Sequence, residues 1–194
     1  MIEHPPLPTT EAARALGSCA WRANLLLARG RLRQPTGYVG RRLTFADGTS
    51  SAVYRETAVD RPAPPAAPAV LVVAFRLRHV RSDRAHAAFR AESLLNTVLF
   101  AGFPGFVSKL WLAHDQDDRY RGFYEWDDPA LAHDYVGALW RVLALVSVPS
   151  SIRYAVLPGF RRDQLLDDPA AADAIAPGEE AAWWRLTDVT SVTA

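Results

Sequence analysis

Lys109, Trp111, Tyr124 and Trp126 are the residues of this sequence whose types and spacing could do chemistry. They stand on two runs rich in aromatic and aliphatic residues, Phe106 to His114 and Arg119 to Asp127, separated by Asp115-Gln116-Asp117-Asp118. A polar cluster between two such runs predicts a β-hairpin. With the turn centred on Gln116 and Asp117, Lys109 lies opposite Tyr124, Trp111 opposite Gly122 and Val107 opposite Trp126, all on one face by the two-residue period of a strand. Gly122 then leaves room for the Trp111 indole. One cation among aromatic rings can wall a pocket for a small apolar molecule and stabilise an enolate or phenolate. The same residues could instead be a cross-strand packing cluster, with the lysine stem lying along an indole.

The opposite face of the hairpin carries Phe106, Ser108, Leu110, Leu112 and His114 against Arg121, Phe123, Glu125 and Asp127. Arg121 and Glu125 are expected to pair with one another there rather than enclose an apolar ligand. His114 with Asp115, Asp117 and Asp118 could ligate a divalent ion, but strand alternation sends neighbouring side chains to opposite faces, so a solvated turn is expected and no metal is assigned. Asn96, with Glu92 one turn earlier, could present a polar edge to a ligand between helix and sheet, or be a satisfied core amide. Ser93, Ser108 and Ser147 lack nucleophile-elbow glycines, Cys19 has no histidine near it, and there is no GxGxxG or P-loop. Nucleophilic catalysis and nucleotide binding are therefore not expected, and no cofactor is assigned.

The elements that must position these residues can be read from composition and punctuation. A chain of 194 residues, 49% hydrophobic and 22% charged, suits one globular domain with appendages. The net charge of +1 lacks the basic surplus that phosphate contacts need, so nucleic acid is not an expected partner. Lys109 is the single lysine beside 21 arginines. One cysteine excludes an internal disulfide framework, and no apolar run reaches the roughly 18 residues that span a bilayer. With no basic start leading into an apolar core, a cytoplasmic location is expected and a membrane partner is not.

Residues 1 to 9 are Pro-rich, and Thr10 can cap a helix from Glu11 to about Arg33 with Ala12, Leu16, Cys19, Ala20, Ala23, Leu26 and Leu27 on one stripe. Arg41 to Ala46 and Ser51 to Thr57 flank Asp47-Gly48, a second hairpin signal. Four prolines in Asp60 to Pro68 mark a boundary between an N-terminal extension, residues 1 to 60, and a separate unit that begins at Ala69. Ala69 to Val80 reads as a central strand, Ser82 to Phe100 as a helix stopped by Gly102 and Pro104, and the central hairpin comes next. Asp127 or Asp128 caps a helix to about Val146, and Ser151 to Leu157 is a final strand. The order β-α-β-β-α-β over residues 69 to 160 predicts an α+β, ferredoxin-like domain with two helices on one face of an antiparallel sheet. Its other face is left bare, which calls for a second sheet or the terminal segments, residues 161 to 194 among them.

Pro104-Gly105-Phe106, then Lys109 and Trp111, then Gly122, Tyr124, the acidic pair and an Ala-rich helix with Tyr135 resemble the small YdhR-like monooxygenases of the dimeric α/β-barrel superfamily. The resemblance covers about residues 69 to 160. It implies a homodimer whose sheets pack together and a pocket for a small apolar or aromatic molecule. It also implies cofactor-independent oxygenase, isomerase or cyclase chemistry on a polyketide-like metabolite. Lys109 and Tyr124 would then be catalytic, with Trp111, Trp126, Tyr135 and Asn96 binding substrate. Tyr135 stands where related antibiotic-biosynthesis monooxygenases often place a histidine, with His133 two residues earlier. The alternative from another class is a non-catalytic ligand-binding or stress-associated dimer on the same fold.

Overall fold

The computed structural model describes residues 8–80, 82, 84, 86–90, 97, 100–173 and 175–191. Eight antiparallel strands, β1 (Leu32–Arg33), β2 (Arg41–Phe45), β3 (Ser50–Val59), β4 (Ala69–Arg76), β5 (Phe106–Leu112), β6 (Arg119–Trp126), β7 (Arg153–Pro158) and β8 (Leu186–Ser191), form one sheet. Its order is β7-β4-β6-β5-β3-β2-β8, with β1 beside β3. The first four of these are the ferredoxin-like arrangement that the element order predicts. The Pro-rich segment therefore joins rather than separates: β3 hydrogen-bonds to β5, and the N-terminal hairpin continues the same sheet.

Helix α1 (Thr9–Ala28) and helix α2 (Pro129–Val146) pack on one face, where Ala23, Leu71, Val73, Phe106, Tyr124, Trp126, Tyr135 and Leu139 share a core. Residues 84, 86–90, 97 and 100 are helical, within the span predicted for the helix before the central hairpin. Asp128 caps α2 by accepting from the Ala130 N–H at 2.7 Å, with Pro129 at its first turn, as the sequence predicts. Helix α1 ends at Ala28, short of the expected Arg33. Gly30, at φ 63°, turns the chain so that Leu32 and Arg33 can pair with Val59 and Ala58.

The opposite face is not bare. Leu165 and Leu166 of the short helix α3 (Arg162–Asp167), with Ala172, Ala181, Trp183 and Trp184, cover Val70, Val72, Leu110, Phe123 and Leu157. The sheet curls far enough for Leu43 and Phe45 of β2 and Leu186 of β8 to enter the same core. The chain's own ends thus occupy the surface for which a second protomer's sheet was expected, and the apolar argument for packing two sheets together no longer applies there.

Within the central hairpin Lys109 faces Tyr124 and Trp111 faces Gly122, as the turn position predicts. Phe106, not Val107, pairs with Trp126, because the ladder is irregular between Phe106 and Ser108. That shift moves Phe106 onto the helix side, whereas strict alternation put it on the other. The ring nearest Gly122 is also not the Trp111 indole: an added Cβ would stand 2.6 Å from Tyr124 Cε2. Gly122→Val is expected to overpack this point and lower stability by about 1–3 kcal/mol. Urea unfolding checks it, and an unchanged midpoint would contradict the packing described here.

Candidate functional site

Strand alternation and the turn at Asp115–Asp118 bring Lys109, Trp111 and Tyr124 to the helix side of the sheet, and α2 lays Tyr135 over them. The Lys109 side chain is buried at 5% exposure. Its Nζ lies 3.2 Å from the centroid of the Trp111 ring, 4.4 Å from Phe100 and 4.6 Å from Tyr124. The carboxylates on the neighbouring strands face away. Glu56 binds Arg162 at 2.8 Å and Glu125 binds Arg161 at 3.3 Å, both on the side covered by the C-terminal segment. Among the described residues, then, the amine has aromatic rings around it and no ion-pair partner.

Two groups that sequence reading missed complete the cage. Arg55 of β3, cross-strand from Trp111, holds its guanidinium 3.8 Å from the centroid of the same indole, and Thr57 accepts the Trp111 indole N–H at 3.0 Å. The period-two placement of Arg55 and Thr57 on β3 was the available signal. Phe100, the third ring on the amine, was legible only as a helix end. Burial pushes the Lys109 amine well below the usual lysine range, and the Arg55 charge pushes it further. Desolvation acts the other way on the phenols of Tyr124 and Tyr135, pushing both up and holding them protonated. Tyr135 donates its hydroxyl to Tyr124 at 3.2 Å.

Trp126 is fully buried beside Tyr135, ring centroids 4.8 Å apart, and its indole N–H has no acceptor among the described residues. Of the residues expected to form the site, Lys109, Trp111, Tyr124, Trp126 and Tyr135 are thus brought together. Asn96 lies outside the described residues. Cys19 is buried on α1, and that burial raises its thiol to about 12, which leaves little thiolate at neutral pH.

The other expectations about this hairpin are corrected. Arg121 and Glu125 do not pair: Arg121 bonds Asp115 at 2.7 Å and Asp47 at 3.2 Å, and Glu125 is held by Arg161. Asp115 is occupied by that pairing and by the N–H groups of Asp117 and Arg119, so it offers no free ligand position. His114, past the end of β5, leaves the face expected for it and stacks on His86, ring centroids 3.8 Å apart.

A groove of about 1220 Å³ runs along β7, lined by residues that include His133, Trp140, Tyr154, Phe160, Trp183 and Trp184. His133 and Tyr135 are two residues apart on α2 and serve different places, His133 the groove and Tyr135 the cage. No described helix is long and apolar enough to cross a membrane.

No protein-family model matches the sequence, and comparison with curated proteins finds no match. Among solved structures, the chain is similar to an uncharacterized ferredoxin-fold protein related to antibiotic biosynthesis monooxygenases from Listeria monocytogenes. The identity is 13% and the TM-score 0.43, covering 59% of this chain and 66% of that one. A monooxygenase-like protein from Listeria innocua matches at 15% identity and TM-score 0.40, over 59% of this chain and 67% of that one. A heme-degrading enzyme from Listeria monocytogenes matches at 14% identity and TM-score 0.39, over 56% of this chain and 70% of that one. At these scores the likenesses carry no argument about activity, and the functional reading rests on the cage itself.

Proposed function

We propose that the chain acts on a small apolar or aromatic metabolite with an acidic C–H or O–H, and that the neutral amine of Lys109 removes that proton. The observation that carries this reading is a lysine buried against three rings with no carboxylate to pair with among the described residues, an arrangement that weakens the fold and yields a base poised nearer neutral pH. The C–H or O–H bond breaks, the proton goes to Nζ, and the electron pair settles on the substrate oxygen as an enolate or phenolate. The new ammonium and Arg55 then stabilise that anion, and the Tyr124–Tyr135 hydroxyl pair and the Trp126 indole N–H are donors for its oxygen. Proton removal is the first step shared by cofactor-independent oxygenation, isomerisation and cyclisation, the reactions that the YdhR-like resemblance implies.

Deuterium exchange into enolisable aromatic ketones, read by NMR of the small molecule, tests this step. The rate is expected to rise with pH through the lowered Lys109 titration, because only the free amine is a base. Lys109→Met is expected to cost about 10²–10⁴-fold, the range for a general base. His114→Ala is expected to leave the rate within a factor of about two of the unsubstituted chain, because a residue outside the cage takes no part in the proton transfer. Equal losses in both would place the site elsewhere.

The groove along β7 supports a second reading, a non-catalytic ligand site, because the rings of Trp140, Tyr154, Phe160, Trp183 and Trp184 line it beside the imidazole of His133. Ligand quenching of tryptophan fluorescence that is abolished by Trp140→Ala and untouched by Lys109→Met would favour it. The homodimer implied by the resemblance remains part of the proposal, with the outer edges of β7 and β8 as the ends of the sheet available to pair. Light scattering at the 21.4 kDa monomer mass across a dilution series would remove it.

A further inference from the structure

We propose that His86, His114 and Asp118 form a binding site for a divalent transition-metal ion of the zinc class, separate from the Lys109 cage and with one coordination position open to water. The three side chains come from a helical segment, from the chain just past β5, and from the end of the hairpin turn. One ligand atom from each lies within 4.8 Å of the others. Two imidazoles and a carboxylate with an open position are a donor set that suits zinc and its neighbours.

Half of the site is already at coordination spacing. His86 Nε2 stands 3.4 Å from Asp118 Oδ1, and two ligands on a tetrahedral ion with bonds of about 2.0–2.1 Å are roughly 3.3 Å apart. The other ring nitrogen of His86, Nδ1, is 2.8 Å from the Tyr120 hydroxyl. That is the outer contact by which a metal-binding histidine is held in orientation. His86 is buried, whereas the Asp118 side chain is 58% exposed, which gives an ion a way in. Asp118 adopts φ 58°, a left-handed conformation that Asp and Asn tolerate better than other side chains.

His114 is the closing ligand. Its ring lies nearly parallel to that of His86, at 16° and 3.8 Å between centroids. Lone pairs lie in the ring plane, so two stacked imidazoles cannot point at one ion; His114 must turn out of the stack about its terminal torsion, a broad and soft rotation. It is half-buried at the hairpin end, while His86 is held by its bond to Tyr120, whose ring packs in turn on Phe89. Among the described residues, Arg90 is a positive group beside this cluster and bonds the Tyr120 hydroxyl. Asp115 and its Arg121 partner are engaged with each other.

The test is Zn²⁺ binding by calorimetry to the full chain after metal stripping, with Co²⁺ absorption in the visible range as an independent reading of coordination. Binding near one ion per chain at micromolar affinity is expected, weakened about tenfold or more by Asp118→Asn and by His114→Ala, and unchanged by Asp117→Asn, a turn carboxylate outside the set. Asp118→Asn keeps a residue that accepts the positive φ, so loss of binding would not be loss of the turn. Absence of saturable binding below the millimolar range overturns the proposal, as does binding that both variants leave unchanged. In either case the cluster is the stack of His86 on His114, held by Tyr120 and flanked by Asp118, with no ligand role.

Discussion

Arg121→Ala is expected to lower the stability of this chain by about 3–5 kcal/mol, the cost of removing one partner of a buried ion pair. The Arg121 and Asp115 side chains are both fully enclosed, 2.7 Å apart. Arg121 also donates to the Trp183 carbonyl at 2.9 Å and to Thr49 Oγ1 at 2.8 Å, reaches Asp47 at 3.2 Å, and lies 4.1 Å over the Phe45 ring. One guanidinium thus ties the central hairpin to the N-terminal hairpin and to the segment that covers the sheet. Truncation strands the Asp115 charge and the Trp183 carbonyl in a closed core, while the Thr49 hydroxyl keeps its bond to Asp47 at 2.6 Å, and stranded groups cost more than the bonds were worth. Arg121→Met combined with Asp115→Asn should recover part of the loss, since the amide oxygen can still accept from Asp117 and Arg119 while no charge is left unpaired. Urea unfolding of the three proteins checks this. A loss under about 1 kcal/mol in Arg121→Ala, the value of an exposed pair, would mean that the core is open to water there.

Lys109→Met is expected to act in the opposite direction and raise stability at neutral pH by about 1–4 kcal/mol, taking as the order of magnitude the gain when buried ion pairs give way to apolar residues of similar volume. The sign comes from proton counting. The folded pKa of Lys109 lies below the unfolded value of about 10.4, so between the two the unfolded chain holds more protons. The lysine's penalty is therefore full below the folded pKa and fades as pH rises to the unfolded one. The advantage of methionine should shrink over that window and vanish above it. Unfolding midpoints of both proteins from neutral to alkaline pH read it directly, and a methionine variant that is less stable at every pH would contradict the burial of the amine against rings. Gain of stability with loss of proton transfer is the trade expected of a residue kept for chemistry.

Much of this arrangement was legible in the sequence where local chemistry decides it. The Asp115–Asp118 turn set the Lys109–Tyr124 and Trp111–Gly122 pairs, and Asp128-Pro129 set the start of α2. What remained hidden depends on contacts distant along the chain. The irregular step after Phe106 inverts one side chain and leaves no mark in a period-two pattern. Glu125 and Arg121 face the same core, yet Arg161, which holds Glu125, and Asp47, which joins Asp115 on Arg121, come from the two terminal segments, whose docking no hairpin register reports. His86 and His114 lie far apart in sequence and meet only through the packing of a helical segment on the hairpin end. Covering of the sheet by Trp183, Trp184 and α3 likewise depends on a fold-back that short-range patterns do not encode.

Because Lys109 is the chain's single lysine, protein labelled with ¹³C and ¹⁵N lysine gives one side-chain signal, and its titration tests the central claim without any substrate. The Nζ and Cε shifts, tracked by NMR from about pH 5 to about pH 11 or as far as the fold persists, should move with a midpoint well below the ordinary value of about 10.4. In Arg55→Met, where the repelling charge is gone, the midpoint should return part of the way toward that value. A single transition near 10.4, unaffected by Arg55→Met, would show an ammonium in contact with water and would contradict the account of Lys109 as a buried base.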